Sequence, residues 1–196
     1  CLQNRILFVP LQQKSTNTLI KTMKKLTLFV CLAMAAAGAT AQNFEGSTLE
    51  ERIAHTMGNN EDSIKTAKGF ITMFQQSNSN KDYKDMYVNY QWLKKNAPFA
   101  VNGIYTQGPF MFYNLINTEQ DPAKKKQYFD EMMELFELRQ KNLDALNSFA
   151  KTKSTLGDVL SVKAEYYNWT APGVFGQTFD LRKSYANFSE AIKMVN

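Results

Sequence analysis

Carboxylates on one predicted helix are the first residues of this chain that could perform acid–base chemistry. Glu134 and Glu137 are three residues apart and therefore share a face of that helix. Paired carboxylates of this kind are typical of glycosidases and other general acid–base enzymes. Basic residues surround the pair, so the pattern favours a solvated, partly ion-paired helix surface. The acidic residues are Asp130, Glu131, Glu134 and Glu137, and the basic residues are Lys126, Arg139 and Lys141.

Histidine and cysteine supply most nucleophiles, general bases and metal ligands, and both are scarce here. His55 is the only histidine, and the two cysteines, Cys1 and Cys31, both precede residue 42. A lone histidine without a neighbouring cysteine cannot form the usual catalytic pairs or a zinc site. We expect His55 to be exposed or to cap a helix. The sequence therefore predicts a protein that is not an enzyme and that binds no cofactor and no metal.

Aromatic residues are the most distinctive candidates for a binding site. Nine of them fall within about thirty residues, from Tyr83 onward. Aromatic rings offer rigid contact area for peptides and sugars, and Tyr and Trp add a polar group. Most of these rings recur at helical spacing, as do Tyr87 and Tyr90, and this spacing predicts core packing. Trp92 lies off that face, and we expect Trp92 and Trp169 to contribute to a binding surface.

The beginning of the chain has the three parts of an export signal. Two lysines follow Met23, an apolar stretch covers residues 26–38, and Ala39 and Ala41 give the small-residue pattern that signal peptidase requires. We therefore expect cleavage before Gln42. The apolar stretch is shorter than the ~20 residues that span a bilayer, so we expect no stable membrane span after cleavage.

This leader also carries the net charge of +5. Residues 1–41 hold five basic side chains and no acidic ones, whereas the rest of the chain holds 18 of each. The part after the leader is neutral and lacks the basic stripe of a nucleic-acid-binding protein. We expect residues 1–22 to be an upstream non-native extension, with an unusually long positive segment as the alternative. Residues 23–41 are then the signal peptide, and residues 42–60 a polar linker.

Apolar residues recur every three or four positions after residue 60, as in amphipathic helices. Asn60 or Asp62 can cap the first helix, and Asp121-Pro122 is the clearest later start. We expect Gly108-Pro109 to interrupt the third helix and residues 170–173 to end the fifth. The predicted helices lie at about 61–76, 82–96, 102–117, 122–143, 154–168 and 180–192. No alternating strand pattern competes with them, so the predicted class is all-α.

Two segments resemble tetratricopeptide repeats. The pattern Ser184-x₃-Phe188-x₂-Ala191-Ile192 resembles the second helix of such a repeat, although the family prefers Ala where this chain has Ser184. The segments YVNYQWL and DPAKKKQYFDEMMELFELRQ are similar to the opening repeats of exported bacterial tetratricopeptide-type proteins. The resemblance covers residues 61–196, but the W-x₂-L-G-x₂-Y pattern and a regular 34-residue period are missing. It implies antiparallel helix pairs that stack as a short solenoid. Because the last predicted helix has no glycine cap at its end, we expect the domain to continue beyond residue 196.

The same resemblance implies a function in binding. Helical solenoids hold a peptide or a helix on their concave face, so we expect a non-catalytic scaffold with a protein or peptide partner. The signal places it in the periplasm or at the cell surface of a Gram-negative-type bacterium. One alternative is an outer-membrane glycan-binding protein on the same fold, which would need exposed Trp and Tyr in a row. Another is a helical accessory domain of a larger protein.

Overall fold

All the regular secondary structure within residues 42–176 is α-helical, apart from a single 3₁₀ residue at Gly176. The structure, a computed structural model, describes these residues together with Ala186, Ser189 and Lys193. Eight helices occur within 42–176, and they pack against one another, which confirms the all-α prediction. The helices are α1 (Leu49–Met57), α2 (Glu61–Asn80), α3 (Tyr83–Asn96), α4 (Gly103–Thr106), α5 (Gly108–Thr118), α6 (Pro122–Lys141), α7 (Leu143–Phe149) and α8 (Leu156–Phe175).

Capping side chains determine where the long helices begin. The Asn60 side chain accepts a hydrogen bond from the main-chain N–H of Asp62 at 2.9 Å, and α2 starts at the next residue after Asn60. Asp121 caps α6 in the same way, directly before Pro122. Thr155 forms a reciprocal capping box at the start of α8. The predicted starts at Asn60 and Asp121 are therefore confirmed.

Proline and glycine set the other predicted boundaries. Helix α3 ends at Asn96, two residues before Pro98, because the residue that precedes a proline avoids the helical conformation. The third predicted helix is interrupted, as expected: α4 ends at Thr106, and α5 begins at Gly108 with Pro109 in its first turn.

Consecutive long helices make the main contacts of the fold. Helix α2 packs on α3, α3 on α5, α5 on α6, and both α5 and α6 on α8. Only Lys81 and Asp82 connect α2 to α3, and Lys81 adopts a left-handed conformation with a φ of 59°. Such a short connection is typical of a hairpin of two helices. The further stacking into a tetratricopeptide-like solenoid stays a prediction, and the motif residues Ser184, Phe188, Ala191 and Ile192 lie outside the described residues.

The core is rich in rings and lies mainly between α3, α5 and α6. Tyr90, Phe112 and Phe136 are each fully buried, and the rings of Tyr90 and Phe112 meet edge to face at 5.3 Å. Gly108 allows α5 to approach α6 closely, because a Cβ there would lie 2.6 Å from Cδ2 of Leu135. The absence of a side chain at Gly108 thus lets the start of α5 lie close to Leu135 of α6 and Tyr90 of α3.

Residues 42–60 differ from the polar linker that the composition predicts. They contain helix α1, which begins with a capping box at Thr48 and buries Ile53 completely. Phe44 is also buried, and its main-chain N–H donates to Oγ of Ser148 at 2.8 Å. Leu49 and Met57 also pack against the core, and so this mostly polar segment is part of the folded unit.

Helix α8 also extends beyond its predicted end. The turn-forming residues 170–173 continue the helix to Phe175 instead of ending it. Thr170 and Ala171 are buried there, and the ring of Phe175 meets that of Phe129 at 5.1 Å. Pro172 lies in the last turn, where it removes a single main-chain donor. Tertiary packing therefore overrides the local turn signal.

Candidate functional site

The carboxylates of α6 are paired, as the charge pattern predicts. Glu134 bonds Lys94 of α3 at 2.7 Å, and Asp130 bonds Lys126 one turn away at 2.6 Å. Glu137 pairs with Lys163 of α8. Of the basic residues that the sequence pointed to, Lys126, Arg139 and Lys141, Lys126 is a partner in these pairs. Glu134 and Glu137 instead join α6 to α3 and α8, whereas Asp130 pairs within α6.

Glu131 forms the most connected polar cluster between α3 and α6. The hydroxyl of Tyr87 donates to both carboxylate oxygens at 3.0 Å, and the side-chain amides of Gln91 and Gln127 donate to the same group. Burial and the hydrogen bond to Glu131 raise the pKa of Tyr87 to about 12. Tyr87 is therefore a protonated donor at neutral pH, and the cluster holds the two helices together.

Trp92, one of the two tryptophans expected at a binding surface, lies in a helix contact. Its ring stacks on that of Phe70 in α2, with centroids 4.0 Å apart and planes at 5°. The side chain is half-buried and packs against the core. One face of the indole is thus covered by α2, and this arrangement serves the packing of α3 on α2.

Trp169, the other predicted residue, belongs to a continuous set of surface rings. It is 52% exposed and contacts the rings of Tyr166 at 5.3 Å and Tyr113 at 6.0 Å. Tyr113 stacks beside Phe110 at 6.3 Å, and Phe110 meets Tyr83 at 5.8 Å. We call this set, Tyr83, Phe110, Tyr113, Tyr166 and Trp169, the aromatic row. It joins the start of α3, the outer face of α5 and the second half of α8.

The aromatic row combines supporting rings with exposed ones. The three tyrosines are half-buried, whereas Phe110 is 46% exposed and Trp169 is 52% exposed. Phe110 and Tyr113, like Tyr166 and Trp169, are three residues apart and so share a helix face. The tyrosines thus fix the position of two large rings that remain open to solvent.

The sequence singled out Trp169 as a surface residue but did not single out Phe110 or Tyr113. The buried side of α5 is formed by Met111, Phe112 and Leu115, and this phase turns residues 110 and 113 outward. The helix is apolar nearly all round, so periodicity alone does not show which side is buried. The packing of the whole buried side of α5 against the core determines the phase.

The remaining predicted positions have simple placements. Gln42 is exposed at the start of the described residues, and Ala39 and Ala41 of the predicted cleavage site lie outside them. His55 is exposed, and its ring meets that of Phe44 edge to face at 5.2 Å. Among the residues that the structure describes, no group of three or more His, Cys, Asp or Glu is placed to hold a metal ion.

None of the helices described is both long and apolar enough to cross a bilayer. No family model, no curated protein and no solved structure matches this chain.

Proposed function

We propose that this chain is an exported, non-catalytic scaffold whose aromatic row binds a helix of a protein partner. The observation that carries the proposal is the exposure of Phe110 and Trp169 within one continuous set of rings. Contiguous exposed apolar surface marks interaction sites in proteins, and Trp and Tyr are enriched where binding energy concentrates. Half-buried tyrosines hold the exposed rings in place, so binding would cost little side-chain entropy.

The spacing of the rings fits a helical partner. Neighbouring centroids along Tyr83, Phe110, Tyr113 and Trp169 are 5.8, 6.3 and 6.0 Å apart. Four residues of an α-helix rise about 6 Å, so apolar side chains at every third or fourth position of a partner would each meet a ring. The partner we propose is therefore an amphipathic helix with leucine-like residues on one face.

The sequence supports the other parts of the proposal. The pattern from Met23 to Ala41 supports export, and the tetratricopeptide-like segments support a scaffold of helix pairs. A single histidine and the lack of cysteine after residue 41 support a role without catalysis.

The test measures the affinity of the protein for two fluorescent peptides of identical composition. In the first, leucines spaced by three and four share one helical face, and in the second their order is scrambled. We expect the first peptide to bind at micromolar concentration and Phe110→Ala to weaken it about thirtyfold, since aromatic anchors contribute about 2 kcal/mol. Val88→Ala is the matched control, because Val88 is 63% exposed but lies outside the aromatic row. Equal binding of both peptides, or equal loss in both variants, would contradict the proposal.

A glycan is the second candidate ligand, and the same exposed rings favour it. Sugars stack on aromatic faces, and a surface Trp beside Tyr residues is what a glycan-binding protein of this fold would need. Titration with cellotetraose and maltotetraose separates the two candidates. Saturable binding of either sugar that Trp169→Ala abolishes, without binding of the helical peptide, would replace the protein partner by a glycan.

A further inference from the structure

A second surface feature is a cleft of about 420 Å³ between α1, α4 and α7. Its walls combine the apolar side chains of Val101 and Phe149 with the basic side chains of Arg52 and Lys151. Asn102 and Ser154 add polar groups, and no acidic residue lines the cleft. None of these residues belongs to the aromatic row, so the cleft is a separate candidate site.

Arg52 is the central cation of this cleft. Its guanidinium lies over the ring of Phe149, 4.4 Å from the centroid. Nε donates to the carbonyl of Ala100 at 3.2 Å and Nη1 to that of Ser47 at 2.8 Å, whereas Nη2 donates to no residue that the structure describes. Its charge is therefore held in a fixed position by the protein and still has a free donor.

No carboxylate of residues 42–176 pairs with Arg52. The acidic residues on the same helix, Glu50 and Glu51, act on it only at longer range. Glu50 pairs with Lys68, and Glu51 accepts the main-chain N–H of Thr48 in the capping box. A partly buried guanidinium without a carboxylate partner is suited to an anionic group from outside, because a desolvated charge is stabilised by a hydrogen-bonded counter-charge.

The rest of the lining defines what else the anion should carry. Val101 and Phe149 present apolar surface, and Lys151 adds a second cation. Asn102 also lines the cleft, but its Oδ1 is buried and so is not an open acceptor for a ligand. The cleft thus suits an anion that carries an apolar group.

We propose that this cleft binds the terminal carboxylate of a peptide. The carboxylate accepts hydrogen bonds from Arg52, with Lys151 adding positive charge. An apolar last side chain packs on Val101 and Phe149. A free terminal carboxylate beside an apolar side chain is the chemistry that matches the cations and the apolar walls of the cleft.

The test compares two tripeptides by calorimetry: acetyl-Ala-Ala-Leu with a free carboxylate, and the same peptide with a terminal amide. We expect the free carboxylate to bind about tenfold more tightly, because a charge-assisted hydrogen bond is lost in the amide. Equal affinity of the two peptides, or no binding of either at millimolar concentration, would overturn the proposal. Equal affinity for N-acetylleucine would overturn the peptide assignment in favour of a small carboxylic acid.

Variants locate the binding. Arg52→Gln should abolish the preference for the free carboxylate, but Arg52 also anchors α1 and its replacement can unfold the protein. Lys151→Gln avoids that difficulty, because Lys151 is exposed, and it should weaken binding of the free carboxylate several-fold. Lys153→Gln is the matched control, since Lys153 is exposed but outside the lining. Equal effects of the two lysine variants would contradict the site. Phe110→Ala should leave this binding unchanged, because Phe110 lies outside the cleft. Binding at the cleft is therefore tested independently of binding at the aromatic row.

Discussion

Two tyrosines, one turn apart in α3, show how differently the same side chain can contribute at the residue scale. Tyr87 donates its hydroxyl to Glu131, whereas the hydroxyl of Tyr90 is buried without a hydrogen-bond partner among the described residues. A buried hydroxyl that makes no hydrogen bond costs free energy, and a hydroxyl bonded to a carboxylate contributes to stability. The two residues should therefore respond in opposite directions to loss of the hydroxyl.

We predict that Tyr90→Phe raises the free energy of unfolding by about 1 kcal/mol, and that Tyr87→Phe lowers it by a similar amount. The first change removes an unpaired polar atom from the core and keeps the ring against Phe112. The second leaves one acceptor position of Glu131 without its donor. Urea unfolding of the two variants and the parent at neutral pH measures both effects. A loss of stability in Tyr90→Phe as large as that in Tyr87→Phe would contradict this account of the two hydroxyls.

The buried tyrosines also predict an alkaline limit to stability. Burial raises the pKa of Tyr105 to about 12, above the value of about 10 in an unfolded chain. A raised pKa means that the folded state favours the protonated hydroxyl, so this contribution is complete below pH of about 10 and disappears as the pH rises through about 12. We expect the midpoint of urea unfolding to fall over that interval, and to fall less in Tyr105→Phe. An unchanged midpoint between those pH values would show that the tyrosines do not contribute in this way.

At the element scale, the position of α5 depends on a glycine. Gly108 has no space for a side chain, because a Cβ would lie 2.6 Å from Cδ2 of Leu135, and Leu135 is itself buried. Gly108 lies on the buried side of α5, opposite the exposed Phe110 and the half-buried Tyr113. The glycine thus links the packing of the core to the shape of the candidate site.

We predict that Gly108→Ala lowers the free energy of unfolding by about 1–3 kcal/mol, because overpacking displaces side chains in a dense core. Gly69→Ala is the matched control. Gly69 lies within α2, is exposed, and has open space where a Cβ would be, so the change should stabilise the helix by about 0.5–1 kcal/mol. Thermal unfolding of the two variants measures the difference. Stabilisation by both changes would show that α5 is free to move away from α6.

The helices whose ends depend on local chemistry are those that could be predicted from the sequence. Asn60, Asp121 and Pro98 act on residues beside them, so the boundaries of α2, α3 and α6 follow from the chain itself. Helix α1 and the end of α8 depend on buried contacts with distant residues, and polar composition or turn-forming residues concealed them. The exposure of Phe110 also depends on how α5 packs on the other helices, so it was not predicted, whereas Trp169 was predicted as a surface ring.

At the scale of the whole molecule, most aromatic rings stabilise the core and a few are left outside it. Rings such as Tyr90 and Phe112 fill the space between α3, α5 and α6, in agreement with the core packing that their spacing predicts. The aromatic row is the part of this set that reaches solvent, and it is held by three different helices. A surface built on several packed helices is rigid, and rigidity favours specific binding.

The most direct test of the proposed function measures the fluorescence of Trp169 during binding. Trp92 and Trp169 are the only tryptophans in the chain, so Trp92→Phe leaves Trp169 as the single emitter and preserves a ring against Phe70. We predict that titration with the amphipathic peptide shifts this emission saturably to shorter wavelength, because the exposed indole becomes buried, and that the scrambled peptide does not. Binding of the amphipathic peptide with unchanged emission from Trp169 would contradict the claim that the aromatic row is the binding surface.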